Sequence, residues 1–409
     1  MVLAPHLMDP LIPDRREDLE DMARNIVAKS AALGGQLHPI TQDAVAGLLR
    51  IVNSYYSNLI EGHSTHPVEI EQAMREDYSQ DPAKRELQQE SLAHIACQKK
   101  IANALDSQPD INPASREFIC WIHEEVYKEL PEKFQWITTK DKSERIRVHG
   151  GQLRTRDIEV GRHVGPPPES IGAFLDRFES FYDISKHHGV TPLIAAAAGH
   201  HRLMWIHPFL DGNGRTARLF TDAYLKRIPL PGYGLWNISR GLARRRSDYM
   251  GALSHADATR RNDLDGRGNL SREGLIDFCR FFLKICQDQI KYMTDLLNLD
   301  GLRDRISGYI RLRAEKLIAS PTPDGRPMKV EAAYMLIEAL TRGEVPRGDM
   351  IRVSGLAERT GRQVLSQLLE DGLLSSNMPR GPVRLVLSTH FASYLFQNLY
   401  PSQMDVGRE

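Results

Sequence analysis

The sequence predicts a mainly α-helical chain with one β-hairpin flap and a winged helix-turn-helix unit at its C-terminal end. Three observations carry this reading. Apolar residues recur near every 3.6 positions over most of the chain, a glycine-punctuated stretch interrupts them at 144–165, and two short helical patterns precede two short β-like pieces after residue 350. The chain has 409 residues, roughly two to three domains by size. Lys plus Arg number 53 and Asp plus Glu number 53, so the formal net charge is zero. That balance excludes a globally basic nucleic-acid coat and an acidic tail. Hydrophobic residues make up 41% and charged residues 26%, which is globular composition and not disorder.

The elements follow in order. Residues 15–33 form one helical pattern. Residues 41–61 form a second, with Thr41 as N-cap, Val45, Leu48, Leu49, Val52, Tyr55, Tyr56 and Leu59 on its apolar stripe, and Gly62 as its terminator. Residues 82–105 and 113–130 read the same way. Gly150, Gly151, Gly161 and Gly165 mark the flap, which Pro166, Pro167 and Pro168 close. Helix resumes at Ser170, again at Thr191-Pro192 as an N-cap followed by an N1 proline, and again from Asn213 to just before Pro229. Residues 240–255 and 274–299 continue it. Residues 320–330 are a turn-rich linker. Beyond it, 331–340 is a helix, 353–358 and 362–370 flank a turn at 359–361, and 373–375 and 383–387 are strand-like.

No apolar run approaches the ~18 residues of a bilayer span. Residues 1–16 carry acids and prolines where a signal peptide has a basic start and an apolar block. Cys97, Cys120, Cys279 and Cys286 are scattered, with no C-x-x-C. Reduced thiols and a cytoplasmic chain are the expectation.

The chemistry concentrates at 207–218, His-Pro-Phe-Leu-Asp-Gly-Asn-Gly-Arg-Thr-Ala-Arg. Gly212-x-Gly214-x-x-Ala217 matches the letters of a dinucleotide fingerprint, but an Ala-rich helix precedes it where that fingerprint needs a strand. Asp211-x-Asn213 begins like a calcium loop, but its sixth position is Thr216 and not glycine. Two glycines permit close backbone approach, and the first N–H groups of the following helix are unpaired. Arg215 and Arg218 share one face at the positive end of that helix, which is unfavourable without an anion. Asp211 suits a hard cation such as Mg²⁺, and His207 suits a general base near neutral pH. Together these residue types make a phosphoryl- or nucleotidyl-transfer kit.

This stretch resembles the signature of Fic-domain proteins, His-Pro-Phe-x-Asp/Glu-Gly-Asn-Gly-Arg-x-x-Arg, at every fixed position. The resemblance extends over roughly residues 40–295 and implies a Fic-type helical core that transfers AMP from ATP to a protein hydroxyl, releasing diphosphate. It implies that His207 deprotonates the attacking Ser, Thr or Tyr hydroxyl, that Pro208 and Phe209 anchor the loop, and that Asp211 holds Mg²⁺. Gly212, Asn213 and Gly214 would form the anion hole, Arg215 would bind the leaving phosphates and Arg218 the γ-phosphate. Ser57-x-x-x-Glu61-Gly62 resembles the inhibitory motif of such proteins, on a helix spanning about 41–62. The resemblance implies that Glu61 pairs with Arg218 in the γ-phosphate's place. Residues 153–164 resemble the flap that positions a target. Residues 246–249 fall where the family contacts the nucleoside, with Tyr249 as a wall for the base. Asp257 stands where some relatives carry an asparagine.

The implied organisation is an N-terminal helical region at 1–110, a catalytic core at 111–300, a helix and linker at 301–330, and the winged helix at 331–409. Arg352, Arg359, Arg362, Arg380 and Arg384 give that last unit a basic bias diluted by Glu358 and Glu370, so residues 331–388 are expected to contact DNA or protein. A nucleotide-sensing DNA-binding regulator and an enzyme removing AMP on the same site are the competing readings, and assembly into a homo-oligomer stays open. His187-His188 and His200-His201 lack a completing ligand set, so no zinc site is expected.

Overall fold

The computed structural model describes residues 3–14, 16–139, 142–161, 163–321 and 326–401. Arg15, Arg162 of the flap, part of the linker at 322–325 and residues 402–409 lie outside the described residues. The N-terminal half contains α1 (Glu17–Gly34), α2 (Pro39–Ile60), α3 (Pro67–Ala73), α4 (Pro82–Ser107) and α5 (Arg116–Lys128). A hairpin of β1 (Trp136–Thr138) and β2 (Arg145–Arg147) follows, and then a shorter one of β3 (Glu159–Val160) and β4 (His163–Val164). The centre is built from α6 (Ile171–Tyr182), α7 (Thr191–Ile206), α8 (Asn213–Arg227), α9 (Ser239–Arg244), α10 (Arg246–Ala256), α11 (Arg272–Leu296) and α12 (Leu299–Ala314). The C-terminal unit has α13 (Ala332–Arg342), β5 (Glu344–Val345), α14 (Arg347–Val353), α15 (Glu358–Glu370), β6 (Leu374–Ser375), β7 (Val383–Leu385) and α16 (Thr389–Leu395). Its three strands form one antiparallel sheet in the order β5-β7-β6.

Burial decides the layering. α7 is Ala-rich and sealed along most of its length, so it forms the central rod against which α6, α8 and α11 pack. α2 lies between α4, α9 and the C-terminal sheet, which explains why thirteen of its residues are buried, more than one amphipathic stripe supplies. Several hydrogen bonds tie the C-terminal unit to the core. Tyr56 Oη donates to Leu399 O at 3.1 Å, and Glu71 accepts from the Thr389 N–H at 2.9 Å.

Four expected boundaries move. α2 begins at Pro39 because His38 Nδ1 caps the Ile40 N–H at 3.3 Å. Thr41 is not the cap: its hydroxyl donates to Leu340 O at 2.9 Å. Thr191 is the first residue of α7, and Val190 before it gives no side-chain cap. The helix expected over 240–255 breaks at Arg245 (φ −121°, ψ 40°) into α9 and α10. In the C-terminal unit the turn lies at 354–357, not 359–361. Gly355 takes φ +68° there, and Glu358 to Gly361 are the first turn of α15. The four cysteines are free, three of them buried. No helix among the described residues is long and apolar enough to cross a membrane.

Candidate active site

The turn between α7 and α8 starts with strain. His207 occupies the left-handed region (φ 50°, ψ 62°) at the C-cap of α7, its N–H bonded to Leu203 O at 3.0 Å. For a non-glycine residue that conformation costs about 1–2 kcal/mol. Its Nδ1 lies 3.2 Å from Met204 O. A carbonyl only accepts, so Nδ1 carries the proton and Nε2 keeps its lone pair. Burial pushes the imidazole pKa down to about 4, which leaves the ring neutral at pH 7.

Phe209 fixes the turn to the core. It is fully buried, and its ring stacks on His123 with centroids 3.8 Å apart and planes 10° from parallel. The Asn213 amide closes the loop in both directions: Oδ1 accepts from the Phe209 N–H at 2.9 Å and Nδ2 donates to Phe209 O at 2.8 Å. The side chain of Asn213 is therefore committed to holding the loop, and an anion would meet its backbone N–H. Gly212 (φ +76°) enters α8 without any side-chain cap, and a Cβ there would lie 2.8 Å from the Tyr127 ring. The first N–H of α8 to bond back is that of Thr216, to Gly212 O at 3.0 Å. The preceding amides are the ready-made anion site of a helix start.

The charged groups sit around that start. Asp211 Oδ2 accepts from Tyr127 Oη at 2.8 Å and lies 3.5 Å from Arg215 Nη2, while the carboxylate stays 44% exposed. Arg215 is buried and donates from Nη1 to Glu90 Oε1 at 2.7 Å. Arg218, 2% exposed, donates from Nε to Ser57 Oγ at 2.9 Å and from Nη2 to Ser57 O at 3.1 Å and Glu61 Oε1 at 2.5 Å. The Glu61–Arg218 pair thus exists, but through one guanidinium nitrogen, with the Ser57 hydroxyl on Nε. Asp222, the alternative i+4 partner of Arg218, instead accepts from the Tyr233 hydroxyl. Burial would raise the Glu61 carboxyl. The Arg218 charge and hydrogen bond outweigh it and hold the group below its usual range. Gly214 lies directly beneath this carboxylate: a Cβ there would sit 2.4 Å from Glu61 Oε1.

The flap is stapled to the turn by Arg154. Its N–H bonds Pro208 O at 2.9 Å, and its Nε donates to His207 O at 2.8 Å. The hairpin that follows pairs Glu159 with Val164 and Val160 with His163, and Val160 and Val164 are exposed. Tyr249 is not on an open wall. It is fully buried, and its hydroxyl lies 2.7 Å from His200 Nε2. His200 also meets Thr221 Oγ1 at 2.8 Å, and Asp257 pairs with His201 at 3.1 Å. These histidines serve internal hydrogen bonds.

The sequence does not single out Glu90, His63, His123, Tyr127 or Arg154. His123 joins two parts of the site, with Nε2 donating to Asp211 O at 3.0 Å and Nδ1 accepting from the Gly151 N–H at 2.8 Å. None of the five belongs to a run with diagnostic spacing. The weak signal available was a buried-face Glu, His and Tyr on otherwise amphipathic α4 and α5.

Comparison with known proteins fits this geometry. Residues 113–225 match the Fic/DOC family. This chain carries a Fic/DOC-family domain. Over 84 residues it is 38% identical to the protein adenylyltransferase Fic of Drosophila grimshawi and 37% identical to that of Drosophila mojavensis. In both cases the shared segment is 20% of this chain, and it spans about one sixth (17%) of the relative's length. The fold is similar to a Fic family protein from Desulfovibrio desulfuricans G20, with a TM-score of 0.50 and 18% identity over 89% of this chain and 96% of that one. It is also similar to Fic-1 (residues 134–508) from C. elegans, with a TM-score of 0.51 and 18% identity over 68% of this chain and 72% of that one. The Fic-domain match begins after α4, so Ser57, Glu61 and Glu90 lie outside it while every residue of the turn lies within it.

Proposed function

We propose that this chain transfers AMP from ATP to a Ser, Thr or Tyr hydroxyl of a protein, releasing diphosphate, and that Glu61 keeps it inhibited until displaced. The observation that carries this reading is the turn itself: an imidazole whose Nε2 keeps its lone pair, directly ahead of a helix start flanked by two buried arginines. In the reaction His207 Nε2 takes the proton of the incoming hydroxyl, whose oxygen bonds the α-phosphorus as the bond to the β-phosphate's bridging oxygen breaks. The amides at 213–215 and Arg215 face the phosphates, and the flap lays a target segment beside the turn by main-chain pairing. The donor set fits Mg²⁺. The hydrogen bonds to the Asp211 carboxylate fall on Oδ2, and its exposure leaves oxygen available to a hard cation shared with phosphates. Mg²⁺ there would neutralise phosphate charge. The curated relatives are named protein adenylyltransferases, which supports the same reaction class here.

Glu61 supports the inhibited state because its carboxylate occupies the guanidinium edge of Arg218 over Gly214, where an incoming γ-phosphate would sit. ATP would then bind in an unproductive pose. The experiment is incubation of the Glu61→Gly chain with ATP labelled at the α- or the γ-phosphate. Label from the α-position on protein, lost in Glu61→Gly/His207→Ala, supports the reading. Label from the γ-position indicates a kinase, and retarded DNA mobility without labelling favours a regulator acting through residues 331–388.

A further inference from the structure

Glu90 is the least exposed carboxylate at the phosphate site, and the proposed chemistry gives it no task. It projects from α4 with its side chain 1% exposed. Oε1 accepts from Arg215 Nη1 at 2.7 Å, and His63 Nδ1 lies 2.8 Å from Oε2 and 3.0 Å from Oε1. Arg215 hangs between this carboxylate behind it and Asp211 in front, 3.5 Å from Nη2. Its Nε has no hydrogen-bond partner among the described residues. A short charge-assisted bond holds far more strongly than a contact at the edge of hydrogen-bonding distance. Glu90 therefore wins Arg215, and Asp211 remains open. Without the Glu90 charge, the buried guanidinium would turn to the carboxylate already nearest to it, Asp211. The group that should meet a cation and the group that should meet phosphate would then neutralise each other.

We propose that Glu90, steadied by His63, is a positioning residue: it holds Arg215 back from Asp211 so that both stay available to a Mg²⁺-bound diphosphate group. This rests on reading the 207–218 turn as a polyphosphate site. It also links the two arginines. His63 follows Glu61 by two positions, and its N–H bonds Asn58 O at 3.0 Å. One segment thus closes Arg218 through Glu61 and supports Arg215 through His63 and Glu90.

The test measures affinity for ATP, ADP and AMP by calorimetry across a MgCl₂ titration in the full chain carrying Glu61→Gly, then with Glu90→Gln or His63→Ala added. Glu90→Gln is expected to weaken ADP and ATP about tenfold and to move the Mg²⁺ midpoint upward, with AMP affinity unchanged. His63→Ala, at a side chain 36% exposed, is expected to move the same two quantities about twofold to threefold. ADP affinity and Mg²⁺ midpoint unchanged in both variants would overturn the proposal. So would a loss shared equally by AMP, which marks general structural damage. If Glu90→Gln does not fold, His63→Ala decides alone. A parent that binds ATP, ADP and AMP alike overturns the site reading and this inference with it. A parent that prefers ADP to AMP but ignores Glu90→Gln overturns this inference only, and absence of AMP transfer counts only against the transfer reading.

Discussion

Removing the Glu61 carboxylate should release Arg218 without disordering it, and the structure sets the size of the effect. A hydrogen bond between charged groups contributes about 1.5–3 kcal/mol. Glu61 is 35% exposed while Arg218 is 2% exposed, so solvent screening brings the pair to about 1–2 kcal/mol. At about 1.4 kcal/mol per decade, that is a factor of about 5–30 in the open population. Ser57 still holds Arg218 through Nε and Nη2 when Glu61 is gone, so the guanidinium stays aimed at the start of α8. Glu61→Gly should therefore raise the initial rate of self-modification by label from α-labelled ATP about 5–30-fold. Glu61→Gln, which keeps the shape and loses the charge, should fall between it and the unaltered chain. Ser57→Ala added to Glu61→Gly should give back part of the gain by letting Arg218 swing. A Glu61→Gly rate within about twofold of the unaltered chain, in protein with an unchanged melting temperature, would mean that Glu61 does not hold the site closed.

Other perturbations have defined outcomes. Phe209→Ala removes a fully buried ring stacked on His123. It should cost about 3–5 kcal/mol, read as a large drop in melting temperature together with loss of nucleotide binding. Gly212→Ala forces a Cβ against Tyr127 at φ +76°; it should cost about 1–2 kcal/mol from the backbone alone and weaken Mg²⁺-dependent ATP affinity by displacing Asp211. Acid should destabilise the chain in a particular window. Burial depresses His94 and His200 to about 3 and His123 and His207 to about 4, against about 6.5 when unfolded. Between those values only the unfolded chain takes up these protons, so stability falls as pH drops through 6.5 towards 4 and is unaffected by them above 6.5. Urea midpoints that stay flat from pH 7 to pH 4.5 would contradict this.

The legible part of the site was its contiguous part. Residues 207–218 announce themselves because a strained histidine, two glycines and two arginines must follow one another to turn a chain around an anion, and the structure keeps them together. Glu61 could be singled out because Ser57-x-x-x-Glu61-Gly62 resembles an inhibitory motif; its place at a helix end alone reads as a surface glutamate. Glu90, His63, His123 and Tyr127 could not, because each is one residue on a different element and only tertiary packing brings it to the turn. The fold followed the same division. Helical periodicity located most helices, while their ends answered to local competition. Pro39 fits the first turn of α2 with His38 as its cap, which frees Thr41 to bond Leu340. Gly355 at φ +68° sets the turn before α15. Tyr249 illustrates the limit: an aromatic on a helix face suits a base platform or a core equally, and the full burial of its ring together with its bond to His200 gives it to the core.

The most direct measurement is a crystal structure of the Glu61→Gly chain with Mg²⁺ and a non-hydrolysable ATP analogue. The polyphosphate should be wrapped by residues 211–218, its α-phosphorus facing His207 Nε2, with Arg218 on the terminal phosphate. A nucleotide bound elsewhere, with Arg215 and Arg218 still held as in the free chain, would contradict this.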